Sequence, residues 1–516
     1  MNQGSILCFL LFIHASLSYA QTPDYSEHIA PIVYKNCSSC HRSGGIAPFS
    51  LTSYTQVKNH ASGISNAVSS GIMPPWSADT NSVRYVHERA LTQSDVQKIV
   101  DWVNGGTPEG NPALAPKPPV YNTNYALGNP DLQVKAPLYK SKASVKDEYV
   151  CYSIPTNLNV DKWVKGIEVI PGNSSMVHHC LVYIDEAGTY PTDTIGGDCG
   201  GPTSSILLGE FTPGSIPHFF PNDNFNKFGV KLKAGAKLVL AMHYPLGSYG
   251  KLDSTKVNLH FYPDGSSGLR EVYAASVLSN WSFCIAANTK DTVYAEYPAA
   301  GKSLPAKISV LGVFPHMHLL GKEMKTWAIT PTNDTIDLGN INKYDFEWQG
   351  FYTYRKLQIL PLGSRIYGSA IYENTSANTN NPNSPIKQVC AGENTSDEMF
   401  LIFFQYMLYT ANDENIDIEK MVADQDATSG VRFIDVNSLN AFPNPIRSNE
   451  YLQINAPNDT YALTVVDVNG KVLLSQNIVH SNAGPLSIAQ HFDAGIYFIS
   501  LQASTQNYVT KVVVVE

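Results

Sequence analysis

Six side chains in the middle of the chain have the types and order of metal ligands. They are the adjacent pair His178 and His179, His243 in Ala241-Met242-His243-Tyr244-Pro245, His316 and His318 on either side of Met317, and Met399 in Asp397-Glu398-Met399. Imidazole nitrogens with one thioether suit copper, whose Cu(I) state is softer than Cu(II). The grouping reads as two centres, three histidines in one and His-His-Met in the other, and such a pair suits the chemistry of dioxygen. Residues i and i+2 of a strand share a face, so His316 and His318 can reach one ion while Met317 points away. Adjacent His178 and His179 would face opposite ways in a regular strand and can share an ion only at a strand end or bulge. Taken singly, each residue also reads as core. A histidine on an apolar strand is by default a satisfied interior residue, and Met399 opens the apolar run Phe400-Leu401-Ile402-Phe403-Phe404, where a thioether packs well.

A second constellation lies near the front. Cys37-Ser38-Ser39-Cys40-His41 has the Cys-x-x-Cys-His spacing of c-type haem attachment, two thiols for the porphyrin and a histidine for the iron. Met73, in Gly71-Ile72-Met73-Pro74-Pro75-Trp76, is the candidate second axial ligand, and a Met/His pair raises a haem potential. A disulfide or a redox Cys-x-x-Cys is the competing reading. Ile29, Ile32 and Val33 precede the motif at helical spacing. Val96, Ile99, Val100 and Val103 form a second stripe, opened by Thr92-x-x-Asp95 and closed by Gly105, as in a capped helix. Residues 22–108 resemble a small all-α cytochrome c domain.

The copper segments also carry a resemblance. Met176-Val177-His178-His179, Met242-His243-Tyr244, His316-Met317-His318-Leu319-Leu320-Gly321-Lys322 and Ser396-Asp397-Glu398-Met399 are similar, in the same order, to motifs of the copper type II, ascorbate-dependent monooxygenases. This family includes the peptidylglycine α-hydroxylating and dopamine β enzymes, and the likeness covers roughly Tyr139 to Ala423. It implies two mainly-β domains of jelly-roll or sandwich type with one copper each. His178, His179 and His243 would hold the copper that passes electrons. His316, His318 and Met399 would hold the one where O2 and the substrate meet, with a coordination position left open. It also implies that Cys151 is half of a disulfide, with Cys199 its expected partner and Cys284–Cys390 a second pair. Cys180 is then the free buried thiol, or a neighbour of the metal. Where peptide-hydroxylating members hold a peptide carboxylate, this chain has Phe314, Leu401 and Phe403. That suggests an apolar or aromatic pocket and a non-peptide substrate, or simply core.

The rest of the chain must position these groups. Its 516 residues exceed one domain, and a net charge of −9 with 15% charged residues and no basic run argues against nucleic acid or an anionic membrane surface. Residues 1–20 read as a signal peptide, with an apolar stretch from Ile6 to Ile13 before Ser18-Tyr19-Ala20, and no later run is long enough to span a bilayer. Setting aside Cys8 in the signal and the two motif thiols leaves five cysteines, an odd number, in a chain bound for an oxidising compartment. Residues 109–138 read as a linker, rich at its start in Pro, Ala and Gly. Short apolar runs split by Gly, Pro, Asn and Asp then predict β-sandwich or jelly-roll architecture, and the resemblance implies two such domains, over 139–270 and 271–423. From 437 to 516, Asn469-Gly470 between alternating apolar runs marks a hairpin, and the segment resembles the β-sandwich sorting domain of type IX secretion.

Together these expectations describe an exported, secreted or cell-surface copper monooxygenase that passes through the periplasm. It would hydroxylate a C–H bond of a small organic molecule with O2, with electrons from ascorbate or a redox protein entering through a fused haem. A copper- and haem-binding electron-transfer or sensor protein without turnover is the competing reading.

Overall fold

The computed structural model describes residues 22–43, 45–119, 126–195, 199, 206–212, 215–429, 440–448, 450–456, 459–467, 471–481, 485–488, 492–502 and 507–515. The expected signal peptide and the Asn469-Gly470 turn lie outside them.

The first unit is helical. Asp24 accepts the Glu27 N–H and starts a π-turn, Tyr25–Ile29, that runs into the helix Ala30–Asn36. Helices Tyr54–Asn59, Ala61–Ser69 and Gln93–Asn104 follow, the last capped by Thr92, whose side chain accepts the Asp95 N–H. Ile29, Val33, Leu51, Val57, Ile99 and Trp102 bury together at their centre. The expected stripe is thus joined by Trp102, fully buried, whose indole N–H donates to the Pro108 carbonyl at 2.9 Å.

Residues 76–89 depart from the expected arrangement. The sequence offered a haem unit connected to the copper region only through a linker. Instead this segment leaves the helices and lies along the sandwich built from strands between Tyr273 and Leu408. Ala78 bridges Ile341 and Tyr85 bridges Tyr354, the Asp79 N–H donates to Asn340 O at 2.8 Å, and the Val86 N–H donates to Thr353 O at 2.9 Å. Tyr85 is 2% exposed and stacks on Tyr354. The segment has no helix or strand period because it makes isolated bridges and gives one ring to a neighbour's core.

The first sandwich pairs two sheets. One orders Leu132–Lys135, Lys256–Phe261, Lys162–Ile170, Lys227–Leu232 and Leu269–Glu271; the other orders Glu148–Pro155, Lys237–Tyr244, His179–Asp185 and Ile206–Phe211. Val164, Ile167, Val182, Leu238, Leu240 and Val257 fill the space between them. Lys237–Tyr244 is buried on both faces, so it reads as a continuous apolar run rather than an alternation. Its outer residues, Val239 and Ala241, pack against Phe314 and Phe403 of the second sandwich.

The second sandwich sets Tyr273–Asn280, Phe400–Leu408, Ile308–His316 and Tyr352–Leu360 against Thr289–Tyr297, Arg365–Asn374, Gly321–Ile329 and Thr335–Ile341. The ladder shifts register between Val310 and Gly312. A Cβ at Gly312 would stand 2.7 Å from Tyr352 O, so only glycine lets these backbones approach. The helix Ile418–Ser429 returns to the first sandwich, with Ile418, Met421 and Val422 in its core. Arg270 grips Asp413 through two hydrogen bonds of 2.6 and 2.8 Å at this junction. The disulfides are Cys151–Cys199 and Cys284–Cys390, and Cys180 is a buried thiol.

The tail is a separate pair of sheets around Leu452, Ile454, Leu463, Val465, Ile499 and Leu501. Asp459–Asp467 pairs antiparallel with Val472–His480. Among the described residues no helix is long and apolar enough to cross a membrane.

Candidate metal centres

Three histidines of the first sandwich meet at one point. His179 begins the strand His179–Asp185, and His178 precedes it with its N–H on the carbonyl of His243 at 3.0 Å. The adjacent pair therefore sits at a strand end, where both rings can turn one way. His243 faces His179 in the ladder. The Nδ1 of His179 lies 3.2 Å from that of His178 and 3.4 Å from that of His243. One ring N–H can satisfy only one of these contacts, whereas nitrogens bound at about 2.0–2.1 Å to one tetrahedral ion stand ~3.3 Å apart. The donor set fits a metal, and the three form a cluster with all ligand atoms within 4.8 Å. Carboxylates stand beside two outer nitrogens: His178 Nε2 is hydrogen-bonded to Glu347 at 3.1 Å, and His243 Nε2 lies 3.1 Å from an Asp147 oxygen without hydrogen-bond alignment. Burial opposes the charge of Asp147, yet His243 and the Leu246 N–H keep its carboxyl below the usual range. Burial, reinforced by neighbouring histidines, holds His179 well below its ordinary value, and burial lowers His243 too. Neutral imidazoles are the form that binds a metal.

In the second sandwich His316 ends the strand Ile308–His316, and His318 follows with its ring 5.2 Å from that of His316. Met317 between them is fully buried in the core. Gln349 Oε1 holds His316 Nδ1 at 2.6 Å and the Asp397 carbonyl holds His318 Nδ1 at 3.2 Å, so both present Nε2. Burial lowers His316 to about 4 and holds His318 well below its ordinary value. The ladder ends where His316 pairs with Leu401, and Met399 lies two residues before Leu401, just ahead of the strand Phe400–Leu408. The Glu398 carboxyl accepts the N–H groups of His318, Leu320 and Met399, which fixes this corner.

One segment joins the two clusters. The Phe346 ring stacks on His178 at 5.0 Å and meets His318 edge-on at 5.8 Å, so a single ring separates a histidine of each. Glu347 and Gln349 belong to the same stretch. Tyr149 stacks on His243 at 4.5 Å and reaches Thr395, near Met399, with its hydroxyl. Sequence reasoning missed Glu347, Gln349 and Asp147. For Glu347 and Gln349 the one signal was the aromatic–polar alternation Phe346-Glu347-Trp348-Gln349 between two strands; Asp147 gave none.

Phe314, Leu401 and Phe403 settle as the second of their two readings. Phe314 faces Phe403 across the ladder, and both are buried between the sandwiches with Leu401 packed beside them. They form core, because strand alternation turns them toward the first sandwich.

At the front, Cys37 and Cys40 are both thiols, unlike the four cysteines paired as disulfides. The His41 N–H donates to Cys37 O at 2.9 Å, which closes the turn. His41 Nδ1 lies 3.1 Å from Phe49 O, leaving Nε2 available. These features fit a haem ligand oriented by a backbone carbonyl. Met73 is carried separately, on the turn after the helix Ala61–Ser69, and is 41% exposed. Phe49 also stacks on His60, which the sequence reading did not single out.

Comparison with known proteins supports part of this. Residues 278–426 match the family model "Copper type II ascorbate-dependent monooxygenase, C-terminal domain", a stretch that holds His316, His318 and Met399. Residues 440–515 match "Secretion system C-terminal sorting domain". No curated protein matches the chain. Among solved structures, a Paenibacillus xanthan lyase shares 10% identity over 57% of this chain and 28% of its own, with a TM-score of 0.14. A Bacillus subtilis oxalate decarboxylase mutant shares 8% over 55% of this chain and 78% of its own, with a TM-score of 0.12. At such scores neither bears on the fold. The chain thus carries a copper type II ascorbate-dependent monooxygenase C-terminal domain, of an oxidoreductase family that uses copper, followed by the sorting domain of a protein exported by type IX secretion.

Proposed function

We propose that the protein is a secreted or cell-surface monooxygenase that places one oxygen atom of O2 into a C–H bond of a small organic molecule. It would use two copper ions and a haem c. The observation that carries this is the pair of histidine clusters, one on each sandwich, with a carboxylate, an amide or a carbonyl beside one ring nitrogen of His178, His243, His316 and His318. When bound, copper supplies one-electron redox chemistry and dioxygen activation, and the haem supplies a one-electron relay. His178, His179 and His243 would hold one ion, and His316, His318 and Met399 the other. Cys37, Cys40 and His41 would hold the haem, with Met73 as its second axial ligand. Phe314, Leu401 and Phe403 are core between the sandwiches, so those positions offer no cation for a peptide carboxylate and no pocket either; an apolar or aromatic non-peptide substrate is proposed on the resemblance alone. Ascorbate or a redox protein would supply electrons at the haem unit. Residues 1–20 would direct passage through the periplasm to the type IX machinery.

Purified protein should contain two coppers and one covalent haem per chain, read by elemental analysis and the pyridine haemochrome spectrum, and should consume O2 with a reductant as product forms. One copper in fully loaded protein would overturn the two-centre reading. Normal covalent haem in Cys37→Ala or Cys40→Ala would overturn the attachment.

A further inference from the structure

A cavity of about 580 Å³ lies where the helical unit meets both sandwiches, within the ~300–1,000 Å³ of small-molecule pockets. None of the six candidate metal ligands lines it, and of the residues proposed to hold the haem only Cys40 does. The space is therefore assigned to neither. Two properties of its wall bear on an occupant. The first is its rings. Trp76 comes from the segment that leaves the helical unit, Phe211 from the first sandwich, and Trp348 and Phe351 from the stretch ahead of the strand Tyr352–Leu360. Broad ring faces from several parts of the chain suit a flat apolar body.

The second property is charge. Arg89 lies over the Trp348 ring at 5.3 Å, so a cation and a ring share one part of the wall. Lys165, on the strand Lys162–Ile170 of the first sandwich, also lines the cavity and makes no ion pair among the described residues. Glu210 is the one carboxyl group among the described wall residues. Burial raises it from 4.5 to about 7, so near neutral pH it is partly uncharged and opposes an anion weakly. Cations at such an aromatic wall attract an anion more strongly than they would in water. An aromatic ring carrying a carboxylate or a phosphate meets both requirements.

We propose that this cavity binds a flat aromatic molecule bearing one carboxylate or phosphate, its ring against Trp348 and its anion at Lys165 and Arg89. The two anionic groups share the chemistry that these cations recognise, a planar or tetrahedral set of charged oxygens. The inference rests on neither the copper nor the haem reading, since Lys165, Arg89 and Trp348 belong to neither set of ligands.

The test uses the full chain as purified, titrated by calorimetry with naphthoate, naphthyl phosphate and the neutral naphthamide. At least one of the two anions should bind once per chain. The naphthamide should bind about tenfold more weakly, the worth of one charge-assisted hydrogen bond. Lys165→Gln should weaken the anion by about the same factor and leave the naphthamide unchanged. Arg89→Gln should do likewise, and it keeps the test decisive if Lys165→Gln misfolds. Trp348→Leu should weaken all three compounds. Tighter binding of naphthoate assigns a carboxylate to the natural occupant, and tighter binding of naphthyl phosphate assigns a phosphate. No binding by either anion, or an anion affinity indifferent to both cation variants, would overturn the site. So would binding that a chelator abolishes and Lys165→Gln leaves intact, which would put the anion on a metal ion instead.

Discussion

At the residue scale, four of the five clustered histidines, His178, His243, His316 and His318, have a polar neighbour at one ring nitrogen, and the neighbours differ. Glu347 and Asp147 serve the first cluster with carboxylates, and Gln349 and the Asp397 carbonyl serve the second with neutral acceptors. A carboxylate raises the basicity of its imidazole more than an amide does, so the first site should favour Cu(II) more than the second. Removing such a partner typically costs 10–100-fold in metal affinity. Glu347→Gln and Asp147→Asn should each weaken copper binding at the three-histidine site by about that factor in a chelator competition, with little change at the other site. Met399→Ile keeps roughly the same volume and removes the soft ligand. Product formation should be lost while copper stays bound to the three histidines; near-normal turnover would return Met399 to the core.

At the scale of elements, the strand ends do the positioning, and one irregular segment does unexpected work. Tyr85 is a buried ring delivered from outside the sandwich that it completes. Tyr85→Ala should therefore destabilise the second sandwich by about 3–5 kcal/mol, the range for deleting a large buried ring, visible as a lower Tm for the two-sandwich region. Deleting 22–110 should likewise leave that region poorly folded, not independent. The gathering of His178, His179 and His243 was legible through the ordered motifs and the resemblance they carry, since each histidine alone also reads as core. So were the sandwiches, whose apolar runs are bounded by turn residues, and the capped helix Gln93–Asn104. Glu347, Gln349 and Asp147 were not legible, since each is a single polar residue whose partner is distant in sequence. Residues 76–89 were hidden for a related reason: isolated bridges impose no period. Phe314 and Phe403 allowed two readings, because an aromatic facing a pocket and one facing a neighbouring domain look alike in sequence.

At the scale of the molecule, Arg270 and Asp413 join the two sandwiches. Burial works against the Asp413 charge, but Arg270, Ser309 and the Thr410 N–H hold its carboxyl below the ordinary 3.8. The stability it lends is present above that pH and is lost as the pH falls below it. Glu210, at the cavity wall, has the opposite sign. Burial raises it from 4.5 to about 7, and its Oε2 is buried without a hydrogen-bond partner in the structure. The folded protein keeps a proton there that the unfolded chain releases, so this contribution is full below 4.5 and is lost as the pH rises toward 7, at about 1.4 kcal/mol per unit. Denaturation midpoints of wild type should fall across that window relative to Glu210→Gln, whose profile should be flatter; parallel profiles would show that Glu210 ionises freely.

The bridges made by Ala78 and Tyr85 also change what the linker is for. A swinging arm would drift away once its hinge was severed. Here a protease that nicks the Pro- and Ala-rich stretch between 107 and 119 would produce two fragments that still co-elute on a sizing column, parting only in denaturant. The stretch after the helices is then slack between parts already dovetailed, and the front unit is a fixed fitting of the machine.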